Sequence, residues 1–173
     1  MELWDAYTRD GVKTGETLVR DEQIPKGRYH LVCEVLVRHV DGEYLCMIRS
    51  RQKPNYPLYP ECTAGGSALK GEDVLACARR ELLEETGYEA AEMKFLFHGP
   101  SSPGLTSESL SFYLATGLRR VAAGGGVENE NITVREAPLD DIDAWLAARV
   151  EQGIALDPRI YTGLYFLKCQ SPV

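Results

Sequence analysis

The chain has 173 residues, 44% hydrophobic, 26% charged and 9% aromatic, the profile of one compact soluble domain and not of a disordered or fibrous chain. Nineteen basic against 26 acidic residues give a net charge of -7, which argues against a nucleic-acid partner and against an anionic membrane surface. Cys33, Cys46, Cys62, Cys77 and Cys169 show no paired ligand spacing and read as free thiols of a cytoplasmic protein; no apolar run approaches the ~18 residues of a membrane span, and the acidic start MELWDAYTRDG is unlike a secretory leader.

Residues 1–27 are polar and turn-rich, with Asp10-Gly11 placed as a hairpin turn, and read as an N-terminal arm of a single domain, 1–173. Two β-branched runs, His30–Val40 and Glu43–Arg49, meet across Asp41-Gly42 and predict a β-hairpin. A loop containing Pro54, Pro57 and Pro60 leads to Gly65-Gly66, and a helical pattern from Asp73 to Thr86 stops at Gly87, a C-terminal glycine cap. Strands are expected at Lys94–His98, Leu110–Leu118 and Ile132–Glu136, separated by the loops SSPGLTSES and AAGGGVENEN. Helices over Leu139–Glu151 and Pro158–Cys169 close the chain. The order predicts a mixed sheet flanked by helices, hence an α/β or α+β fold. A domain of this size needs no structural metal, so any metal is expected to be catalytic.

On the Asp73–Thr86 helix, Glu81, Glu84 and Glu85 fall within an arc of about 100° at 3.6 residues per turn. Like charges at these spacings cost roughly 0.2–0.5 kcal/mol per pair unless something positive lies against them. Arg80 is one candidate and a hard divalent cation is another, since Mg²⁺ takes one or two protein carboxylates together with substrate phosphate oxygens. A Glu-Glu run on its own also fits a solvated helix face.

The wider pattern, G-x5-E-x7-R-E-U-x-E-E-x-G-U with U apolar, runs from Gly66 through Glu72, Arg80, Glu81, Glu84, Glu85 and Gly87 to Tyr88, and resembles that of the Nudix hydrolases. Tyr88 stands where a branched aliphatic is usual. The resemblance implies an α/β/α sandwich with a mixed sheet and hydrolysis of a nucleoside diphosphate linked to another moiety, with Mg²⁺ or Mn²⁺. It places the metal on Glu81, Glu84, Glu85 and the carbonyl of Ala64, and puts Arg80 and Glu81 among the catalytic residues. Gly65 and Gly66 then allow close backbone approach, while Arg80 and Glu72 hold loop and helix in register.

Two further stretches bear on the substrate. Pro103 in SSPGLTSES, fifteen residues beyond Tyr88, resembles the segment that marks ADP-ribose pyrophosphatases, and VENENITV (127–134) resembles their mobile loop carrying the base that activates water. The match puts that role on Glu128, with Glu130 next, and Gly124-Gly125-Gly126 reads as a flexible hinge behind them. Glu108 is a candidate metal or substrate contact. Arg49, Arg51 and Lys53 form a basic cluster suited to a phosphate, Arg51 foremost, and Tyr56, Tyr59 or Phe112 are candidates for stacking a base. His30, His39 and His98 read as structural.

The segments ELWDAYTRDGVKTGE, IPKGRYHLV and IRSRQK resemble Nudix proteins related to isopentenyl-diphosphate isomerase, whose chemistry needs a Cys where this chain has Gly65. Cys62 lies three residues earlier and reads as an inert thiol. Isomerase-like activity and a non-catalytic nucleotide-sensing domain are the alternatives to hydrolysis of ADP-ribose or an ADP-sugar. The family resemblance also implies a homodimer paired through N-terminal strands.

Overall fold

The computed structural model describes residues 1–53, 55–61, 63–127 and 130–169; Cys62 and Glu128 lie outside them. The hairpin expected around Asp10-Gly11 forms, β1 (Leu3–Tyr7) pairing antiparallel with β2 (Lys13–Val19). It packs on its own chain: the Lys70 amide donates to the Leu3 carbonyl at 2.8 Å and the Gly71 amide to Asp5 Oδ2 at 2.7 Å.

The central layer is a mixed arrangement of two sheets. One has the order β6-β3-β8-β7, formed by β3 (His30–Val37), β6 (Ala64–Ser67), β7 (Tyr88–Pro100) and β8 (Glu108–Arg120). The other has the order β5-β4-β9, formed by β4 (Tyr44–Ile48), β5 (Pro60–Glu61) and β9 (Thr133–Ala137). β3 runs parallel to β8, from His30 opposite Glu108 to Val37 opposite Ala115, and antiparallel to β6.

This corrects the expected hairpin across Asp41-Gly42. The turn exists, with the His39 amide on the Glu43 carbonyl at 2.9 Å, but beyond one bridge between Arg38 and Tyr44 the strands part into different sheets. Both edges of β3 are already occupied, by β6 and β8, so β4 has no edge to pair with.

Successive side chains on these strands point to opposite faces. Cys33, Val35 and Val37 of β3, Leu45 and Met47 of β4, and Tyr113 and Ala115 of β8 meet Cys77, Ala78 and Leu82 on one side. Leu36, Tyr44, Cys46 and Leu114 point the other way, onto α2 (Ile142–Glu151) and α3 (Arg159–Cys169) through Ile142, Leu146, Ile160 and Leu164. The result is the expected α+β sandwich, helices covering both faces of a mixed sheet layer, with each fully buried aliphatic side chain contributing about 1.5–3 kcal/mol. The cysteines Cys33, Cys46 and Cys77 are buried, with the Cys77 thiol 3.3 Å from Cys33 Sγ.

The helix expected over Asp73–Thr86 is present in two windings. Asp73 caps α1 (Val74–Glu81), accepting from the Ala76 amide at 2.8 Å. Leu82–Thr86 then continues as a π-helical turn that ends at Gly87, φ 76°. Thr86 Oγ1 donates to the Leu82 carbonyl, and the amides of Gly125 and Gly126 donate to the carbonyls of Glu85 and Glu84 at 2.8 and 2.9 Å. Gly124-Gly125-Gly126 is therefore a docked strap over the end of this turn, not the free hinge its composition predicts. Backbone contact explains the glycines: a Cβ on Gly124 would lie 2.5 Å from the Thr86 carbonyl carbon.

Candidate active site

Two glycines let the strand before α1 lie against the carboxylates of the helix. A Cβ on Gly66 would fall 2.3 Å from Glu81 Oε1, and one on Gly65 would fall 2.5 Å from the Cys33 carbonyl oxygen. Arg80 joins the strand, the following loop and the helix. Its Nε and Nη2 grip Glu72 at 2.8 and 3.0 Å, Nη2 also donates to the Ser67 carbonyl at 3.1 Å, and Nη1 reaches Glu81 and Glu84 at 2.7 and 3.1 Å. Glu72 in turn accepts from the Leu69 amide at 2.9 Å. Burial opposes charge on both partners, yet their pairing keeps the Glu72 pKa below and the Arg80 pKa above its ordinary value.

These residues wall a cavity of about 550 Å³, within the roughly 300–1,000 Å³ of small-molecule sites. β3 supplies His30, Val32 and Glu34, the helix Glu81, Glu84 and Glu85, the N-terminal hairpin Trp4, and the segment before β9 Glu130 and Ile132. Acidic side chains outnumber basic ones two to one among the described lining residues. The lining arginines are neutralised as well, Arg20 by Glu2, Arg49 by Glu61, Arg80 by three glutamates and Arg159 by Glu34 and Asp157. Lys53 has no carboxylate partner among the described residues.

Glu85 bears this imbalance while nearly closed off from water. It is 7% accessible, and its Oε2 is buried with no hydrogen-bond partner. Burial, reinforced by the charges of Glu81, Glu61, Glu130 and Glu34, pushes its carboxyl well above the ordinary carboxylate range. Burial also raises Glu81, against the pull of Arg80. An all-oxygen donor set with an unpartnered buried carboxylate oxygen fits a hard divalent cation. Arg80 Nη1 stands between Glu81 and Glu84, so the three acids do not close into one tight group in this state. Among the described residues, the three acids that do, Asp41, Glu43 and Glu136, with donor atoms within 4.8 Å of one another, lie away from the cavity, and Asp41 already serves His39 and the Glu43 amide.

The other predicted residues divide. Glu108 lines the cavity and accepts from Ser101 Oγ at 2.8 Å. Arg49 lines it while bound to Glu61 at 2.8 Å. Glu130 lines it with its carboxylate folded back onto the Val127 amide at 3.0 Å. Ala64 is fully buried in β6, beside the lining residues Thr63 and Gly65. Pro103 and Arg51 are exposed and not part of the wall; Lys53, two residues on, is. Of the aromatic candidates, Phe112 stacks on Phe97 in the core at 4.4 Å and Tyr56 is 67% exposed beside Tyr59. Trp4 lines the cavity instead, stacked on His30 at 4.3 Å with 9° between the rings.

Glu34 and Arg159, like Trp4, carry no role in the sequence reading. Glu34, 4% exposed on β3, accepts from Thr63 Oγ1 and from Arg159 Nη1. Burial pushes its carboxyl up to about 7, although Arg159 and Thr63 pull the other way. The one visible sign was a lone acid inside the apolar run HLVCEVLV.

Comparison with known proteins places this geometry. A profile described as the NUDIX domain matches residues 28–155. An uncharacterized Nudix hydrolase of Listeria monocytogenes is 36% identical over 102 residues, 57% of this chain and 60% of that protein. A GDP-mannose pyrophosphatase of Citrobacter koseri is 45% identical over 73 residues, 41% of this chain and 38% of that one. The chain thus spans 60% or less of the curated relatives it matches here. Among solved structures, an ADP compounds hydrolase superposes with a TM-score of 0.64 at 22% identity, over 95% of this chain and 84% of that one. A Deinococcus radiodurans structure superposes with a TM-score of 0.63 at 22% identity, over 97% and 98%; at these identities both speak to the fold.

Proposed function

The chain belongs to the Nudix family, and on that premise we propose that it hydrolyses the diphosphate bond of a nucleoside diphosphate joined to a second moiety. ADP-ribose or another ADP-sugar is the first substrate, giving AMP and a sugar phosphate. The observation that carries this reading is the buried, partnerless Oε2 of Glu85 beside Glu81 and Glu84 in the cavity wall.

Glu81, Glu84 and Glu85, with the Ala64 carbonyl, hold Mg²⁺ or Mn²⁺, which when bound polarises a phosphorus and offsets transition-state charge. Arg80, fixed by Glu72 and the Ser67 carbonyl, sets the helix against the glycine strand and orients Glu81. Lys53, unopposed by a carboxylate, attracts the substrate's phosphate. A carboxylate of the segment after the glycine strap aligns or deprotonates the attacking water; Glu128 has that role by resemblance, and Glu130 already faces the cavity. The protein is expected in the cytoplasm, and size-exclusion chromatography tests for a homodimer.

A GDP-sugar is the second reading, favoured by the Citrobacter pyrophosphatase. Isomerase-like chemistry is opposed by Gly65, because a side chain there meets the Cys33 carbonyl. A purely sensing role is opposed by the complete carboxylate set.

Phosphorus NMR with Mg²⁺ tests these readings, offering ADP-ribose, GDP-mannose, nucleoside triphosphates, dinucleoside polyphosphates and isopentenyl diphosphate separately. Appearance of a nucleoside monophosphate from a nucleotide sugar is expected. Conversion of isopentenyl diphosphate with its diphosphate intact, or no turnover of any compound, overturns the proposal.

A further inference from the structure

Arg159 opens α3, outside the region that matches the family profile, yet it lines the same cavity as Glu81 and Glu85. Asp157 Oδ2 receives its Nε and Nη2 at 2.8 and 2.5 Å, and Glu34 receives its Nη1. Asp157 Oδ1 also accepts the Arg159 amide at 2.8 Å. A guanidinium has five N–H donors; three are used here, which leaves one on each Nη. The side chain remains 39% exposed while both acids holding it are buried, at 5% and 6%. It is thus fixed from behind and open in front.

The charge of this corner decides what it can receive. Asp157 and Glu34 offset the guanidinium charge, and the nearby Glu61 is itself held by Arg49, so the corner carries no surplus of positive charge. A phosphate gains little there and is better placed by Lys53. Thr63, Glu34 and Glu61 supply acceptors beside the two free N–H groups, and the aromatic ring in the wall, Trp4, comes from the N-terminal hairpin instead. Closely spaced donors and acceptors without net positive charge match a group bearing several hydroxyls.

We infer that Arg159 is a substrate-binding residue that reads the sugar beyond the diphosphate, donating its two unused N–H groups to hydroxyl oxygens. The inference rests on the hydrolase reading and names the specificity element of that site. Its position beyond the residues matched by the profile, 28–155, lets sugar choice vary without disturbing the carboxylate helix.

The test compares a sugar-bearing ligand with the same nucleotide lacking the sugar. For whichever of ADP-ribose or GDP-mannose the wild-type protein hydrolyses with Mg²⁺, kcat and KM are measured in Arg159→Lys and Arg159→Gln, together with the inhibition constant of ADP or GDP. Arg159→Lys keeps the charge between Glu34 and Asp157, so it guards against loss of fold, which thermal melting monitors. The expected result is a 10- to 100-fold fall in kcat/KM, carried mainly by KM, with the inhibition constant of the sugar-free nucleotide within about threefold of wild type. Equal losses for both ligands, or none for either in Arg159→Lys, overturn the assignment. A wild-type protein that turns over none of the nucleotides offered overturns the hydrolase reading itself, and one that hydrolyses other nucleotides but no nucleotide sugar overturns the sugar assignment.

Discussion

Gly66 lies so close to Glu81 that a methyl group on its Cα would fall 2.3 Å from the carboxylate Oε1. Gly65, its neighbour, is held as tightly by backbone, the Cys33 carbonyl lying 2.5 Å from the same hypothetical atom. Adjacent glycines thus guard different things. Gly66→Ala is expected to displace the Glu81 carboxylate, lowering metal affinity and turnover at least about tenfold with little change in melting temperature. Gly65→Ala is expected to separate β6 from β3 and to cost about 1–3 kcal/mol of stability in chemical denaturation. Equal effects of the two on both readouts would remove the distinction.

Glu85→Gln is expected to reduce turnover at least about 100-fold and to leave the melting temperature of the metal-free protein at pH 8 unchanged or higher. The amide retains the shape of a side chain whose charge is buried among other acids and unpartnered. Mg²⁺ is expected to raise the wild-type melting temperature by binding the folded state and to raise that of the variant much less. A near-normal rate would withdraw the metal assignment.

Stability should depend on pH through Glu34, whose carboxyl is pushed up to about 7 from an ordinary 4.5. The folded protein binds this proton more tightly than the unfolded chain. The stabilisation is full below about pH 4.5 and is lost as pH rises to about 7. Glu81 and Glu85 are raised in the same direction. Glu72 is lowered and acts in the opposite sense, losing its contribution as pH falls below the ordinary carboxylate range. Urea denaturation of the metal-free protein should show up to about 3 kcal/mol lost to Glu34 across this window, with a flatter profile in Glu34→Gln. A profile that is flat in wild type would contradict the burial argument.

Gly124→Ala should undock the glycine strap, because the added carbon meets the Thr86 backbone at 2.5 Å. The Gly125 and Gly126 amides then lose the Glu85 and Glu84 carbonyls. Hydrogen exchange at those two amides is expected to speed up at least about tenfold, with turnover falling as Glu130 shifts. Unchanged exchange would mean that the strap is not held by this contact.

Much of the candidate site is legible in the sequence because it is local. Asp73, the apolar positions of α1 and Gly87 fix one helix within one stretch of sequence, and Arg80 and Glu72 meet across eight residues. The π-helical winding is not legible, since its Glu84 and Glu85 carbonyls accept from a strap some forty residues further along the chain, 124–126. The parting of β3 and β4 also escaped, because a good turn at Asp41-Gly42 says nothing of which strands already occupy the edges of β3. Glu34 and Arg159 are 125 residues apart and meet only through the completed sheet and α3. Trp4 was missed for the same reason: its place in the wall depends on a hairpin docking onto residues 70 and 71.

The parallel pairing of β3 with β8 has a consequence for how the protein reaches its working state. Those strands enclose residues 38–107, including β6 and the whole carboxylate helix, within one large chain closure. Closing such a loop costs entropy that local helix formation cannot offset, and contacts of this separation are slow to form. An isolated peptide over residues 66–88 therefore lacks the strand that Gly65 and Gly66 lie against, however well its helix forms. During refolding, catalytic competence should emerge with the slowest phase of sheet assembly, well after most helical signal has returned.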